Sequence, residues 1–558
     1  MSNPVTEVGR PRRGRRSARS APACAGASAR SRRCASRVGG TAPYLALFLG
    51  LVGASCSSPP TPPGYITVAL VNSPNNLDPR VGTDDVSVRL HYLIFSRLLT
   101  LDDNMRVVGG LATHWTTPDD RTYVVHLRRG VRFHDGRELT SADVVYTFRS
   151  FLDPAFVSGW KGAYRALRTV EAVDRYTVQF SLTAPFGSFP AALVMPVVPA
   201  GAGDSPRTHP VGTGPYRFVS ATADDRITLE AFRDYFEGAP RNNGLVLRVI
   251  PDDIMRALEL RKGGVDVIVN DLAPDIVHQL EQEEGVQTSA FPGTDYQYIG
   301  LNLRDPRLRD RRVRYAIGYA IDREAIVRYL RRGLAETADG VLPPLSWAFE
   351  TDVFRFTYDP ARAKQLLDQA GFPDPDGDGP ASRFALSLKV SSQEFNRLQS
   401  AVIQQNLREV GIDVDVRTYE FATLYADILQ GNFQMYTLQW VGAAVADPDI
   451  LRRAFHSQQV PPSGFNRGYY SNPEVDRALD AATAATDEGE RKRLFRHAQR
   501  LIAREAPYIS LWYKTNVAVF RSDIQNVRLD PTADFSFLRH VFRDPPVAPQ
   551  RHAQATLR

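Results

Sequence analysis

"TYVVHLRRGVRFHDGRELTSADVVYTF", residues 122–148, changes its period halfway along, and that change decides the fold class. Tyr123, Val125 and Leu127 alternate with Val124, His126 and Arg128, the pattern of a strand buried on one face. "GVRF" resumes the alternation after Arg129-Gly130, and Asp135-Gly136 is a tight-turn pair. Thr140 then opens "TSAD", a capping-box-like start in which Thr140 caps and Asp143 occupies the electropositive first turn. Val144, Phe148 and Leu152 follow at i, i+4 and i+8, an apolar helical stripe. His134, with Asp135 beside it and Ser141 and several arginines nearby, has the makings of a catalytic rim. Its position at a strand end and a turn requires no chemistry, and the stretch reads as scaffold.

Outward from this segment the chain repeats the same exchange of strand and helix. "YITVAL" (residues 65–70) is a strand running into the turn-rich "VNSPNNLDP", and "GTGPYRFVS" (212–220) is a glycine-proline turn feeding another. A helix is expected from Asp253 to about Lys262 and a buried strand over "VDVIV" (265–269). "DRRVRYAIGYAIDREAIVRYL" (310–330) carries Val313, Ile317, Ala320 and Ile321 on one side and arginines opposite, one amphipathic helix. Helices over 359–371 and 394–411 stop at Gly371 and Gly411, and an alternating strand follows the second. "SNPEVDRALDAAT" (471–483) starts with Ser471 and Glu474 as a capping box around Pro473. The helix over 490–507 keeps Leu494, Phe495, Ala498, Leu501 and Ile502 inward, and "YISLWY" (508–513) returns as a strand. The expected class is α/β with mixed sheets, and 558 residues exceed what one core fills, so two or more lobes are expected.

The net charge of +6 suggests a nucleic-acid partner until its distribution is read. Residues 1–55 hold ten arginines and one acid, Glu7, a net of +9, which leaves +6 − 9 = −3 for the body. A nucleic-acid binder carries its basic stripe on the folded part. The leader, residues 1–55, reads as an export signal: arginines, then the apolar "APYLALFLGLVGA" (42–54), thirteen residues where a membrane span needs roughly 20. Gly53, Ala54 and Ser55 then precede Cys56, a stretch that resembles a bacterial lipobox with Cys56 as the lipidated residue. Cys24, Cys34 and Cys56 are the only cysteines, so the body holds no disulfide framework and no cysteine metal site. Residues 56–64 read as a proline-stiffened tether and 546–558 as a loose tail.

Several motifs together resemble one family. "LDP" (77–79), the block 109–148 that contains the opening stretch, "HPVGTGPYRF" (209–218), "DRRVRYAIGYAIDREAI" (310–326), "LQW…DPD" (438–449) and "YYSNPEVDRALDAA" (469–482) occur in the order found in bacterial extracellular solute-binding proteins of family 5. These are the peptide- and nickel-type receptors of ABC importers. The resemblance spans roughly residues 65–540. It implies a two-lobed fold of the periplasmic binding-protein type II kind with a ligand cleft between lobes. Lobe I would comprise residues 65–298 and 512–545 and lobe II residues 299–511, with crossings near 298–302 and 507–513. It implies capture without catalysis, no cofactor, permease partners with separate ATPase subunits, a monomer, and a place outside the membrane on a lipid anchor.

The implied contacts are Asn72, Ser73 and Asn75 after the first strand, Tyr298, the segment Gln439, Trp440, Gly442 and Ala443, and Asn466 and Tyr469. Peptide-binding members carry an aspartate three residues after the tryptophan, where it pairs with the peptide ammonium; here Ala443 stands there. An unpaired buried ammonium is costly. The ligand is therefore expected to be an N-blocked peptide, a sugar or another polar small molecule, unless Asp447 or another carboxylate takes the role over. Three rival readings remain. One is a binding lipoprotein for sensing or for a metal chelate without a dedicated permease. The second is a serine hydrolase on Ser158-x-x-Lys161 with "KTN" at 514–516. The third is a calcium loop at "DPDGDG" (374–379), whose twelfth position, Ala385, lacks the bidentate glutamate. The histidines show neither i, i+4 nor H-x-H spacing.

Overall fold

A computed structural model describes residues 61–544 apart from 378, 442–446 and 463. Cys56, the leader, the C-terminal tail, Gly442 and Ala443 lie outside the described residues. The described chain is mixed α/β. Strand Thr122–Leu127 and helix Ser141–Leu152 form as the change of period requires, with Tyr123, Val125, Leu127, Val144 and Phe148 all buried. "GVRF" contributes a single bridge, Arg132 to Glu138, in place of a strand. The His134 backbone amide instead donates to Gly212 O at 2.9 Å, so this edge is taken by the glycine turn of a distant motif. Asp143 closes the helix start from the other side, its carboxylate accepting from the Thr140 amide at 2.8 Å and the Thr140 hydroxyl at 3.2 Å.

Other boundaries move for local reasons. The expected helix over 310–330 stops at Ala320, because Asp322 accepts the Ala325 amide and starts a new turn. The cap of helix Pro473–Ala484 is Asn472, not Ser471: proline takes the first helical position, so the residue before it caps. Strand Val267–Val269 is shorter than 265–269, since Asp266 turns its carboxylate to the Thr67 amide. The strand begun by "YISLWY" runs on from Tyr508 to Arg521.

An 11-stranded sheet organises the whole. Its order is Ile412–Tyr419, Phe384–Ser391, Met435–Trp440, Val286–Leu301, Tyr508–Arg521, Val267–Val269, Tyr65–Leu70, Gly244–Val249, Arg226–Ala231 and Tyr216–Thr222, with Ala335–Thr337 beside the fifth. Parallel pairs lie on either side of an antiparallel centre, and the edge formed by Gly244–Val249, Arg226–Ala231 and Tyr216–Thr222 is antiparallel again. A separate four-stranded antiparallel sheet holds Ala112–Asp119, Thr122–Leu127, Thr177–Leu182 and Leu167–Asp174.

The apolar cores divide along this sheet. Two buried clusters draw only on residues 296–513. Three others draw on 66–280 together with 517–541. The strands Val286–Leu301 and Tyr508–Arg521 run through both halves and pair with each other along their length. Their register shifts between Pro292, opposite Thr515, and Tyr296, opposite Tyr513. Gly293 sits in that gap, and a Cβ there would lie 2.2 Å from Lys514 O, a closeness that only glycine permits.

Candidate functional site

His134, the residue with the strongest catalytic look, is a strut. Gly212 N donates to its Nδ1 at 3.3 Å, which leaves the proton on Nε2 to donate to Gly214 O at 3.0 Å. Burial pulls its pKa down to about 4, so it stands neutral between the 109–148 block and the 209–218 motif. The Ser158 hydroxyl donates to Arg80 O and the Lys161 ammonium to Asp153 O, and among the described residues no side-chain hydrogen bond joins the two. The "LDP" motif is also structural: Asp78 holds Arg80 through two hydrogen bonds at 3.0 and 2.7 Å, both side chains buried. In the acidic turn at 374–379, Asp374 faces Arg383 at 3.5 Å and Asp376 accepts the Ala381 amide.

The expected ligand contacts fall into two places. Asn72 and Asn75 are exposed on the loop after the first strand, while Ser73 is tied to Asp224 by two bonds at 2.9 and 3.0 Å. Tyr298, Trp440, Asn466 and Tyr469 gather in the other half. Tyr298 is fully buried and stacks 4.2 Å from Tyr508 and 6.5 Å from Trp440. Asn466 is 1% exposed, and its amide braces its own loop by donating to His456 O and Tyr470 O and accepting from Tyr470 N. Tyr469 lies under Arg304, 3.5 Å from ring centre to guanidinium carbon. Gln439 is exposed at the end of strand Met435–Trp440.

At the centre of that group stands Arg467, a residue that no local sequence pattern singles out. It is 4% exposed, donates to Tyr298 Oη at 3.2 Å and Tyr425 Oη at 3.0 Å, and lies 5.0 Å from the Trp440 ring. Among the described residues no carboxylate pairs with it, and its Nε has no acceptor. Trp440 Nε1 is likewise buried without a partner. Arg453 lies 4.8 Å from the Phe465 ring, and Phe465 in turn packs edge-on to Trp440. Burial lowers the Arg453 pKa against the opposing pull of Asp449. Burial also holds the hydroxyls of Tyr436 and Tyr508 protonated, far above their ordinary range. The wall is therefore aromatic, and among the described residues it carries two guanidiniums without ion pairs and no free acid. Arginine is common on protein surfaces, and nothing in its flanking sequence distinguishes one that is buried.

Asp447, the carboxylate nearest the Ala443 position that could replace it, is engaged elsewhere. It lies 3.4 Å from Arg491 and accepts the Asp449 amide at 2.8 Å. The same Arg491 donates to Ser188 Oγ at 2.7 Å, in the other half of the molecule. Beside it Gly187 N donates to Thr483 O at 2.9 Å, and Arg106 meets Glu488 at 3.0 Å. The two halves thus touch directly, through Arg106, Gly187 and Ser188 on one side and Thr483, Glu488 and Arg491 on the other.

With this geometry in view, the comparisons with known proteins are unambiguous. Residues 106–461 match the model for bacterial extracellular solute-binding proteins, family 5 Middle. The oligopeptide-binding protein AppA of Bacillus subtilis (strain 168) is 29% identical over 522 residues, 88% of this chain and 95% of the relative. The glutathione-binding protein GsiB of Salmonella choleraesuis (strain SC-B67) is 30% identical over 506 residues, 88% of this chain and 96% of that one. The fold superposes on AppA from Bacillus subtilis in complex with a nonapeptide, with a TM-score of 0.73, 27% identity, and 86% and 99% of the two chains covered. DppA from Helicobacter pylori, bound to the peptide STSA, gives 0.74 at 27% identity, covering 86% of this chain and 98% of that one. The chain belongs to the bacterial extracellular solute-binding proteins of family 5, which capture a solute and do not convert it.

Proposed function

We propose that this chain is the receptor lipoprotein of an ABC importer, held outside the membrane by an acylated Cys56, and that it pinches a ligand bearing an acidic group between two lobes before passing it to a permease. The observation that carries the reading is the strand pair Val286–Leu301 and Tyr508–Arg521, which joins two sets of cores and breaks register at Gly293. Two adjacent strands that shift register together make a hinge with one easy axis, and a ligand touching both lobes favours the closed state by its differential affinity. The contacts of Arg491 with Ser188 and of Gly187 with Thr483 are the closed state's own latch. On this reading the lobe boundary is proposed near 293–295 and 514–516, beside the crossings expected near 298–302 and 507–513.

The electrostatics support the ligand class. Alanine at position 443 offers no charge for an ammonium, Asp447 is paired with Arg491, and among the described residues Arg453 and Arg467 have no acidic partner within ion-pair distance. A carboxylate on the ligand would supply the missing counter-charge. Relatives named for oligopeptides and for glutathione are consistent with such a ligand. The lining proposed is Trp440, Arg453, Phe465 and Arg467 on lobe II, facing the Asn72–Asn75 loop on lobe I.

The test is native mass spectrometry of protein purified without denaturant, followed by calorimetry with the released compound and with peptide sets. An acidic co-purified molecule that shrinks the radius of gyration in solution scattering supports the reading. Tight binding of unmodified peptides that is lost on N-acetylation and unaffected by C-terminal amidation would overturn the ligand class. An unchanged radius with saturating ligand would overturn the hinge. Labelled fatty acid that reaches a Cys56→Ser chain as readily as the wild type would overturn the anchor.

A further inference from the structure

We propose that His114 and His126 form a surface site for a divalent transition-metal ion, Cu2+ foremost, independent of the solute cleft. The two residues are twelve apart in sequence, a spacing with no helical or H-x-H meaning, but the sheet sets them opposite each other. His114 on strand Ala112–Asp119 pairs in register with His126 on strand Thr122–Leu127. Tyr123, Val125 and Leu127 point into the core, so His126 and its neighbour occupy the outer face, where His114 is exposed and His126 half-buried. The two rings lie 4.5 Å apart and nearly parallel, at 19°.

A hydrogen-bond chain fixes which nitrogen faces outward. Thr113 Oγ1 lies 3.1 Å from His126 O, a pure acceptor, so the hydroxyl proton goes there. The same oxygen lies 2.9 Å from His114 Nδ1 and must accept from it. That places the ring proton on Nδ1 and the free lone pair on Nε2, the arrangement by which outer groups orient metal-binding imidazoles. Thr177 Oγ1 lies on the Nδ1 side of His126 as well, at 3.5 Å. Neither Nε2 has a protein partner among the described residues. Two nitrogens bound cis to one ion at about 2.0–2.1 Å stand about 3 Å apart. The rings are stacked with centroids 4.5 Å apart, and side-chain rotation that tips them toward each other would bring the two Nε2 atoms to that spacing. No group of three or more His, Cys, Asp or Glu side chains among the described residues could hold a metal. The ion would therefore keep water, or a small chelator, in its remaining positions. Imidazole ligation with open tetragonal positions suits Cu2+, which also stands highest in the divalent affinity order.

The experiment is a Cu2+ titration of the tag-free full-length chain with its thiols alkylated, followed by calorimetry and by pulsed electron paramagnetic resonance. One site with two coupled imidazoles is expected. His114→Gln and His126→Gln should each weaken it by at least about tenfold and leave a one-imidazole spectrum, with melting unchanged because both side chains lie on the outer face. Thr113→Val should weaken it less, by releasing the tautomer. Equal affinity in the wild type and both glutamine variants, or a wild-type spectrum with one imidazole or none, would overturn the proposal.

Discussion

Arg491 donates to Ser188 Oγ across 2.7 Å, although 303 positions separate the two residues, and the same guanidinium stands 3.4 Å from Asp447. One side chain therefore joins Ser188 to Asp447. Its surroundings are protected, 11% exposed against 18% for Asp447, so the pair is only partly screened by solvent.

Arg491→Met removes this tie while keeping the bulk against Trp347 and Phe495. The expected loss is about 1.5–3 kcal/mol of closure, the range for a hydrogen bond to a charged group. Ligand affinity should fall about 10- to 150-fold, and the radius of gyration of the ligand-saturated protein should rise. Arg493→Ala is the control. It lies on the same helix, is 67% exposed and pairs only with Glu490, so binding should be unchanged.

His134 gives a pH prediction. Its folded pKa, lowered by burial to about 4, lies below the ordinary value of about 6.5. The unfolded chain therefore takes up this proton from pH 6.5 downward while the folded chain refuses it until about 4. The stability it carries is complete above pH 6.5 and is lost as pH falls through that window, about 3 kcal/mol by linkage. Asp530, pushed up by burial and by Asp534, acts with the opposite sign, so the readout is a difference between two chains. His134→Gln keeps a donor and an acceptor for Gly214 and Gly212 and cannot titrate. Its urea midpoint should lie closer to the wild type at pH 4.5 than at pH 7.5. A constant gap would mean that His134 titrates normally.

The hinge can be probed at its tightest point. A Cβ on Gly293 would meet Lys514 O at 2.2 Å, a backbone atom that cannot rotate away. Gly293→Ala should cost about 1–3 kcal/mol, as overpacking typically does, and lower the urea midpoint accordingly. Gly340→Ala, where nothing lies within 4 Å, should leave the midpoint in place. If the two variants behave alike, the close approach at the register shift is not a constraint.

These tests use features that were unequally visible in the sequence. The helix stops at Gly371 and Gly411 were legible because a left-handed residue leaves a glycine behind, and both sit at positive φ. The strand Val286–Leu301 was not, since Pro292-Gly293 interrupts its alternation just where the register shifts. The pairing of His114 with His126 depends on strand register, which no local spacing encodes. Arg467 is not legible in the sequence, although its neighbours Asn466 and Tyr469 are. Asn466 braces the loop through its amide and Tyr469 lies under Arg304, while the charge between them faces the aromatic wall. Burial of a charge is decided by tertiary packing and leaves no trace in a single chain.

Arg467 separates a structural role from a binding one. Arg467→Met deletes a buried cation that has no acidic partner, which relieves desolvation, and leaves the Tyr298 and Tyr425 hydroxyls short of a donor, at about 1–3 kcal/mol for each one left unsatisfied. These effects oppose each other, and exposure at the Tyr425 end lets water replace one bond, so the melting temperature should move by only a few degrees. If the guanidinium exists to meet an acidic group on the solute, the co-purified compound should bind at least about tenfold more weakly, a loss of about 1.4 kcal/mol. Arg467→Lys should recover part of the affinity, because the charge returns without the planar fork. A large drop in melting temperature with ligand affinity intact in both variants would make Arg467 a brace for the aromatic wall and remove the main support for an acidic ligand.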